Sequence, residues 1–390
     1  MSSDLAKSYS LEVLNTITKI ELIVEQWQRL YESETEASKA FLSPAWIMPW
    51  LRVHKQATPY FVCIYHHGQL IAVAPLVIEK MFAGSVKCLR IAGSSLSQYQ
   101  GLMLSGPSRD GEISKLILDH IVDQNPVHIV HLTNVPDKSD FSKISNTYTR
   151  QSNALYCSIL DLKKDLQVRK NARSIVKRAK KEANRKIRKL SASGQLSFSI
   201  LDKREYNFEE LATIMFGWKQ VWLKEKALYS GFYDQKNNHK FLSKLIANDF
   251  NENNEIVIAS IIYKDTPIAI AMGLVKSSTF HCYLTAHNPK FSDYSPGTIL
   301  FSKILEWMKE FGLDRYDFLG YPEAYKTRFS NEKIDLMDIW LPLTFRGKLA
   351  MWAMQINMAQ RIKTQFYKLP ISIRKFILLL RNSYTHYTKF

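Results

Sequence analysis

Cysteine is scarce and scattered. Cys63, Cys88, Cys157 and Cys282 are all the chain has, and none forms a CxxC pair or sits beside a histidine-rich tract. The spacing of a structural zinc site is therefore missing, as is a disulfide framework, which suits a reducing compartment. No apolar run approaches the ~20 residues of a membrane-spanning helix. The longest candidates, at residues 70–78 and 256–263, have strand length. Residues 1–21 hold no basic stretch followed by an apolar core, so the reading is a cytoplasmic chain without a secretory leader. Acid is the other shortage. There are 36 Asp and Glu against 53 Lys and Arg, a formal +17, and no acidic residue follows Asp338. Such an imbalance favours anionic partners: phosphates, nucleic acid or acidic lipid.

What is present reads as two copies of one unit. Strand-like runs at 60–65 and 70–78 flank the turn His66-His67-Gly68-Gln69. A strand lies near 87–92, helical periodicity fills 112–123, and a strand at 127–132 runs on to Asn134-Val135-Pro136. The order then returns. Strands at 255–263 and 268–275 surround Lys264-Asp265-Thr266-Pro267, and a third follows at 279–286. A helix runs from Ser295-Pro296-Gly297 to Phe311-Gly312, and a strand at 315–319 ends in Gly320-Tyr321-Pro322. Ile71-Ala72-Val73-Ala74 also matches Ile268-Ala269-Ile270-Ala271. A tetrapeptide can match by chance, but a repeated β-β-β-α-β order with matched turns is harder to obtain that way. The expected fold class is α/β (α+β), each unit an antiparallel meander feeding a helix and then a parallel strand.

Between the copies, residues 166–190 place Val168, Ala172, Ile175, Val176, Ala179, Ala183, Ile187 and Leu190 three or four apart. That is a helix with one apolar stripe. Its remainder is basic: residues 169–190 hold eleven Lys and Arg and one acid, Glu182. The expected domains are 1–160, 161–344 and a tail at 345–390. The tail carries helical patterns through Leu349, Trp352, Ile356 and Ala359, and through 371–380 with Arg374, Lys375 and Arg381.

Residues 283–326 promise the chemistry. Pro296 in the first turn of its helix gives up no hydrogen bond, and Gly297 lets a ligand approach the backbone. The free N–H groups and the positive dipole end there favour an anion such as a pyrophosphate. An ordinary capped helix start would look the same.

FLSPAWIMPW at 41–50, AGSSLSQYQGLML at 92–104, the basic helix, and YLTAHNPKFSDYSPGTILFSKILEWMKEFGLDRYDFLGYPEAYKTRF at 283–329 resemble the CelD-like branch of GNAT acyltransferases. This branch is named for cellulose biosynthesis proteins and is related to the FemAB-type double-GNAT enzymes. The resemblance implies tandem GNAT-like domains, with acetyl-CoA or another acyl-CoA bound by the second and no metal. It implies transfer to an amine or hydroxyl, on a saccharide or amine acceptor, in polysaccharide or cell-envelope glycoconjugate synthesis. It carries pyrophosphate binding onto Ser295, Pro296, Gly297 and Thr298. The glycine-rich Q/R-x-x-G-x-G/A signature of simple GNATs is absent.

Attack on a thioester needs a base, a donor to the developing oxyanion and an acid for the leaving thiolate. Candidates gather where the 315–319 strand ends: Asp317, Glu323, Tyr325 and Lys326, with His281 and His287 on or after the third strand. Strand alternation could instead turn Asp317 outward. Glu323 could be a solvated charge, Tyr325 core, and Lys326 a phosphate ligand. Trp46 with Trp50, and Trp218 with Trp222, could floor a sugar site, although a spacing of four more often marks a packed helix face. Gln98 and Tyr99 join the interdomain cleft on the resemblance alone. The basic helix reads as a solvated face. A nucleic-acid contact would accompany the alternative of an aminoacyl-tRNA-dependent aminoacyltransferase. The acid-free tail suits the inner face of an anionic membrane. A non-catalytic accessory of a polysaccharide synthase is the remaining alternative.

Overall fold

The computed structural model describes residues 9–104, 111–139, 149–163, 166–202, 204–228, 230–246, 255–320 and 323–356, with a few positions between 366 and 377. The first half holds β1 (Tyr9–Leu14), β2 (Thr58–Pro59), β3 (Phe61–His66), β4 (Gln69–Ala74), β5 (Leu76–Met81), β6 (Val86–Ile91), β7 (Met103–Leu104), β8 (Ile129–Pro136) and β9 (Thr149–Asp161). The second holds β10 (Leu196–Ile200), β11 (Ile256–Tyr263), β12 (Thr266–Lys276), β13 (Thr279–His287), β14 (Arg315–Asp317) and β15 (Glu332–Pro342). Four strands form a small sheet, ordered β1-β3-β4-β7. The other eleven form one sheet, ordered β10-β11-β12-β13-β14-β9-β15-β8-β6-β5-β2.

The repeat shows in the turns. The β3–β4 and β11–β12 hairpins each pivot on two left-handed residues, His67-Gly68 and Lys264-Asp265, a turn whose twist matches that of its strands. The copies part at Pro75. The single strand expected over 70–78 breaks there, because proline brings no N–H to a ladder. β4 stays in the small sheet and β5 joins the large one, while Ala92 N–H donates to the Pro75 carbonyl at 2.7 Å. Its counterpart β12 runs unbroken. The join between the halves is a pair of strands that the sequence reading did not foresee. β9 lies antiparallel between β14 and β15, and β15 antiparallel between β9 and β8.

The basic helix, Leu166–Ser191, buries Ala172, Ile175, Ala179, Ala183 and Leu190, the stripe read from the sequence. Three alanines in that stripe let it lie close to the helix Pro296–Glu310 and share its core. Val168 of that stripe has a side chain outside the described set. Ser43 caps the helix Pro44–Val53, its Oγ accepting Trp46 N–H at 3.2 Å, with Pro44 in the first turn. Trp46 and Trp50 are buried, so they are core and not a sugar floor. Trp46 meets Phe41 and Phe241 edge-on, with ring centroids 4.8 and 5.1 Å away.

In the tail helix, Phe345–Ile356, the inward face is Gly347, Ala350, Met351 and Met354. Gly347 is required there, since a Cβ would lie 1.9 Å from the His128 carbonyl oxygen. Leu349 and Trp352 point outward. No helix among the described residues is long and apolar enough to cross a membrane.

Candidate functional site

β13 and β14 run parallel through three residue pairs: Thr279 with Arg315, Phe280 with Tyr316 and His281 with Asp317. There they fork. β13 continues along β12 to His287, whereas Phe318 N–H donates to Ser158 on β9 at 2.9 Å. The crossover helix Pro296–Glu310 begins just beyond β13, which puts its N-terminus at the open end of the fork. On β13 the register slips by one at Tyr283, a bulge that re-aims this side chain, and its hydroxyl donates to the Leu96 carbonyl at 3.1 Å. Gly273 on β12 permits this crowding, since a Cβ there would come within 2.4 Å of the Phe280 ring.

At the helix start Ser295 is left-handed (φ 48°) and gives no side-chain cap. Pro296 has no N–H, and the amides of Thr298 and Ile299 both turn back to the Ser295 carbonyl, at 2.9 and 3.4 Å. Gly297 N–H is thus left without a protein acceptor among the described residues. A Cβ on Gly297 would meet nothing within 4 Å, so this backbone faces open space. Just ahead of it, Lys186 of the basic helix donates to the Asp293 carbonyl at 3.1 Å. One free amide, a dipole end and a nearby ammonium suit a phosphate group.

Where the fork divides, Asp317 and His281 are each 1% exposed. Asp317 neither points outward nor reaches open space. Its Oδ2 accepts the Tyr99 hydroxyl at 2.6 Å and sits 3.1 Å from His281 Nδ1, while its Oδ1 accepts Leu319 N–H at 2.7 Å. Gly320 N–H then donates to Gln98 Oε1 at 3.2 Å, and the Gly320 carbonyl accepts the Lys326 ammonium at 2.8 Å. Gln98 and Tyr99 of the first half are therefore built into the second half's fork.

Of the remaining candidates, Glu323 and Tyr325 are exposed, and Lys326 is buried with its ammonium 3.7 Å from Glu323. Tyr321 and Pro322 lie outside the described residues. Helix Phe208–Glu225 closes the other side and supplies a group that the sequence reading missed. Lys219 is half-buried, with its ammonium 4.4 Å from the centre of the Trp222 ring. Burial, and then Lys326, push the Lys219 pKa down, against the pull of Glu323. Burial and Lys219 likewise push His287 down. Nothing in GWKQVW distinguishes Lys219 from other lysines; only the seat of its helix against β13 does. Trp222 supports this lysine and Trp218 packs against the core, both half-buried.

Two ion pairs and a hydrogen bond tie part of the basic helix's outer face to its neighbours. Arg328 meets Glu182, Lys180 lies 3.2 Å from Glu306, and Arg178 donates to the Arg328 carbonyl at 2.7 Å. Among the described residues no three His, Cys, Asp or Glu side chains are grouped to hold a metal.

A family model described as an acetyltransferase (GNAT) domain matches residues 177–327, which contain the fork and the helix start. No curated protein matches the chain. Among solved structures, the chain is similar to the crystal structure of FemX (TM-score 0.56, 10% identity, covering 84% of this chain and 96% of that one). It is similar to a conserved protein of unknown function from Bacteroides thetaiotaomicron (0.53, 9% identity, 85% and 99% covered). It is also similar to the C-terminal domain of an assigned lysylphosphatidylglycerol synthetase from Agrobacterium fabrum (0.52, 11% identity, 86% and 96% covered). At these identities the likeness is one of fold. The fold is mixed α/β and similar to that of FemX, and the GNAT-domain match lies in the second half.

Proposed function

We propose that this protein is an acyltransferase that takes an acyl group from acetyl-CoA or another acyl-CoA at the second-half fork and passes it to an amine or hydroxyl. The observation that carries this reading is the fork itself: two parallel strands that part, with the open backbone of Gly297 at the mouth. The turn Ser295–Thr298 takes the pyrophosphate, and the thioester lies along the free edge of β13. The acceptor's lone pair attacks the thioester carbonyl, the C–S bond breaks, and the proton shed by the acceptor reaches the departing thiolate. Glu323 and Tyr325 are the exposed proton carriers, and Lys326 and Lys219 place positive charge beside them. Asp317 organises this end of the fork and does not touch substrate. Residues 1–160 act as a wall, 161–344 as the transferase unit. The CelD-like sequence features favour a saccharide acceptor and a role in polysaccharide or envelope glycoconjugate synthesis.

Calorimetric titration with acetyl-CoA tests this. One site per chain is expected, weakened at least about a hundredfold (~2.7 kcal/mol) by Gly297→Trp, whose side chain enters open space without disturbing the core. A folded wild-type protein that binds no acetyl-CoA would sink the acetyl donor. Weight would then move to a longer acyl-CoA, an aminoacyl-tRNA or a non-catalytic role.

We further propose that the tail rests on an anionic membrane surface at the cytoplasmic face. Phe345, Leu349 and Trp352 are 74, 52 and 65% exposed at helical spacing, beside Arg346 and Lys348. Nine Lys and Arg and no acid follow Asp338. Near an anionic surface each such cation contributes about 1 kcal/mol. The chain should sediment with phosphatidylserine-containing vesicles, and Leu349→Ser with Trp352→Ser should release it. Equal sedimentation with and without residues 345–390 would remove this idea.

A further inference from the structure

The segment Ser94–Gln100 is a loop by composition, yet it runs buried between the halves, with Ser94, Leu96, Ser97, Tyr99 and Gln100 almost wholly enclosed. Several of its polar groups are answered from one side or the other. Leu96 accepts from Tyr283, Ser97 Oγ accepts the Trp46 indole N–H at 2.9 Å, and Gln98 accepts from Gly320. Tyr99 reaches furthest, donating to Asp317 across 218 residues of sequence. Burial, and then Asp317, push the Tyr99 phenol well above its ordinary range, so it stays a donor at neutral pH.

Two residues beyond Asp317 the backbone does something costly. Leu319 is left-handed, at φ 59°, a conformation in which a side chain crowds the following carbonyl. Its N–H is tied to Asp317 at 2.7 Å, which holds the chain in that shape. The reversal presents the Gly320 carbonyl to the Lys326 ammonium. Strain of this kind persists only where its surroundings over-determine it. Here they do: Asp317 is gripped by Tyr99, His281 and Leu319 at once.

We propose that Tyr99 of the first half is a positioning residue for Lys326 of the second, acting through Asp317 and the left-handed Leu319. It rests on the acyltransfer reading only for what Lys326 does, and not for where Lys326 is held. The two halves therefore form one site, in which a first-half hydroxyl sets the place of a second-half ammonium.

Hydrogen exchange read by mass spectrometry on the full chain tests this without any acyl donor. Tyr99→Phe should speed exchange at the Leu319 and Gly320 amides about tenfold, as expected for loss of one buried hydrogen bond. Exchange in β11 and β12 should stay unchanged. Acetic anhydride footprinting should show Lys326 more reactive, with Lys290 as an unaffected reference. Should Tyr99→Phe not fold, Asp317→Asn keeps the side chain's shape and is expected to loosen the same turn. Unchanged exchange and labelling in a folded variant would overturn the proposal. So would an equal rise across the whole sheet, because Tyr99 would then be a core hydroxyl with no directed role. Either result leaves acetyl-CoA binding untouched, whereas loss of that binding in the wild type would leave this relay standing. With a working acceptor in hand, Tyr99→Phe should lower kcat and leave the KM for acyl-CoA unchanged.

Discussion

The parallel pairs β6–β8 and β13–β14 hold the same place in their halves; β8 contains the left-handed Asn134, and the left-handed Leu319 follows two residues after β14 ends. Counting back two positions gives Leu132 in one half and Asp317 in the other. The strands beside them carry Ile91 and His281 at the matching offset. All four side chains are buried. The first fork is thus floored by two aliphatic side chains and the second by a hydrogen-bonded His–Asp pair. The mouths differ as well. In the first half the Gln100 amide fills the opening, donating to Thr133 Oγ1 at 2.8 Å and to the Ser94 carbonyl at 3.1 Å, while Asn134 donates to the Ser97 carbonyl. Its crossover helix Glu112–Gln124 sets an acidic residue in the first turn, where the second half offers Pro296 and Gly297. A carboxyl group at a helix start answers the dipole with the chain's own charge and repels a phosphate. The first half's mouth is closed by its own side chains, whereas the second half keeps a polar fork.

The comparison breaks most sharply if the second fork is rebuilt as the first. His281→Ile with Asp317→Leu strands the Tyr99 hydroxyl and the Leu319 N–H, each at about 1–3 kcal/mol. Thermal unfolding should fall accordingly and acyl transfer should be lost. Adding Tyr99→Phe should recover part of the stability and none of the activity, since removing both partners of a buried hydrogen bond can be nearly neutral. Recovery of transfer would show that the polar fork is dispensable.

A smaller effect separates the halves by pH. His131 stacks on Trp340 with ring centroids 3.4 Å apart, and burial is the first cause of a lowered pKa, opposed by Asp338. Unfolded, it takes up a proton near pH ~6.5; folded, it resists until lower pH. The unfolded state therefore binds more protons between the two values, and stability rises with pH across that window. The position matching it in the second half is Tyr316, which burial pushes upward, away from acid titration. Melting temperature should drop from pH 7 towards 5, with a shallower slope in His131→Phe. An unchanged slope would place the acid sensitivity elsewhere.

Much of the local structure was legible because it depends on near neighbours. The Ser43-Pro44 helix start, the two hairpin turns and the Ala172–Leu190 stripe are each settled within a few residues of sequence. What escaped depends on distant pairing. A single strand was expected through Pro75, and that β4 and β5 enter different sheets was not foreseen. β15 interleaves Lys333, Asp335 and Asp338 with its apolar residues, which hides a strand lying between two others. The cluster after β14 was readable as a group of titratable residues. Its division into a buried organiser, Asp317, and exposed Glu323 and Tyr325 was not, because Tyr99 and Gln98 arrive from more than two hundred positions away.

The placing of β9 between β14 and β15 has a consequence for how the chain comes into being. β9 is made early, yet both of its partners come from the last quarter of the chain. During synthesis its two edges wait unpaired while some 150 residues are added. Such long-range pairing slows folding and leaves strand edges open to other chains. Neither half is then a module that could be cut out and used alone. A fragment beginning after β9 would expose β14 and β15 as bare edges, and one ending with β9 would expose β9 itself. The element order repeats from one half to the other, but the strands knit both into one eleven-stranded sheet.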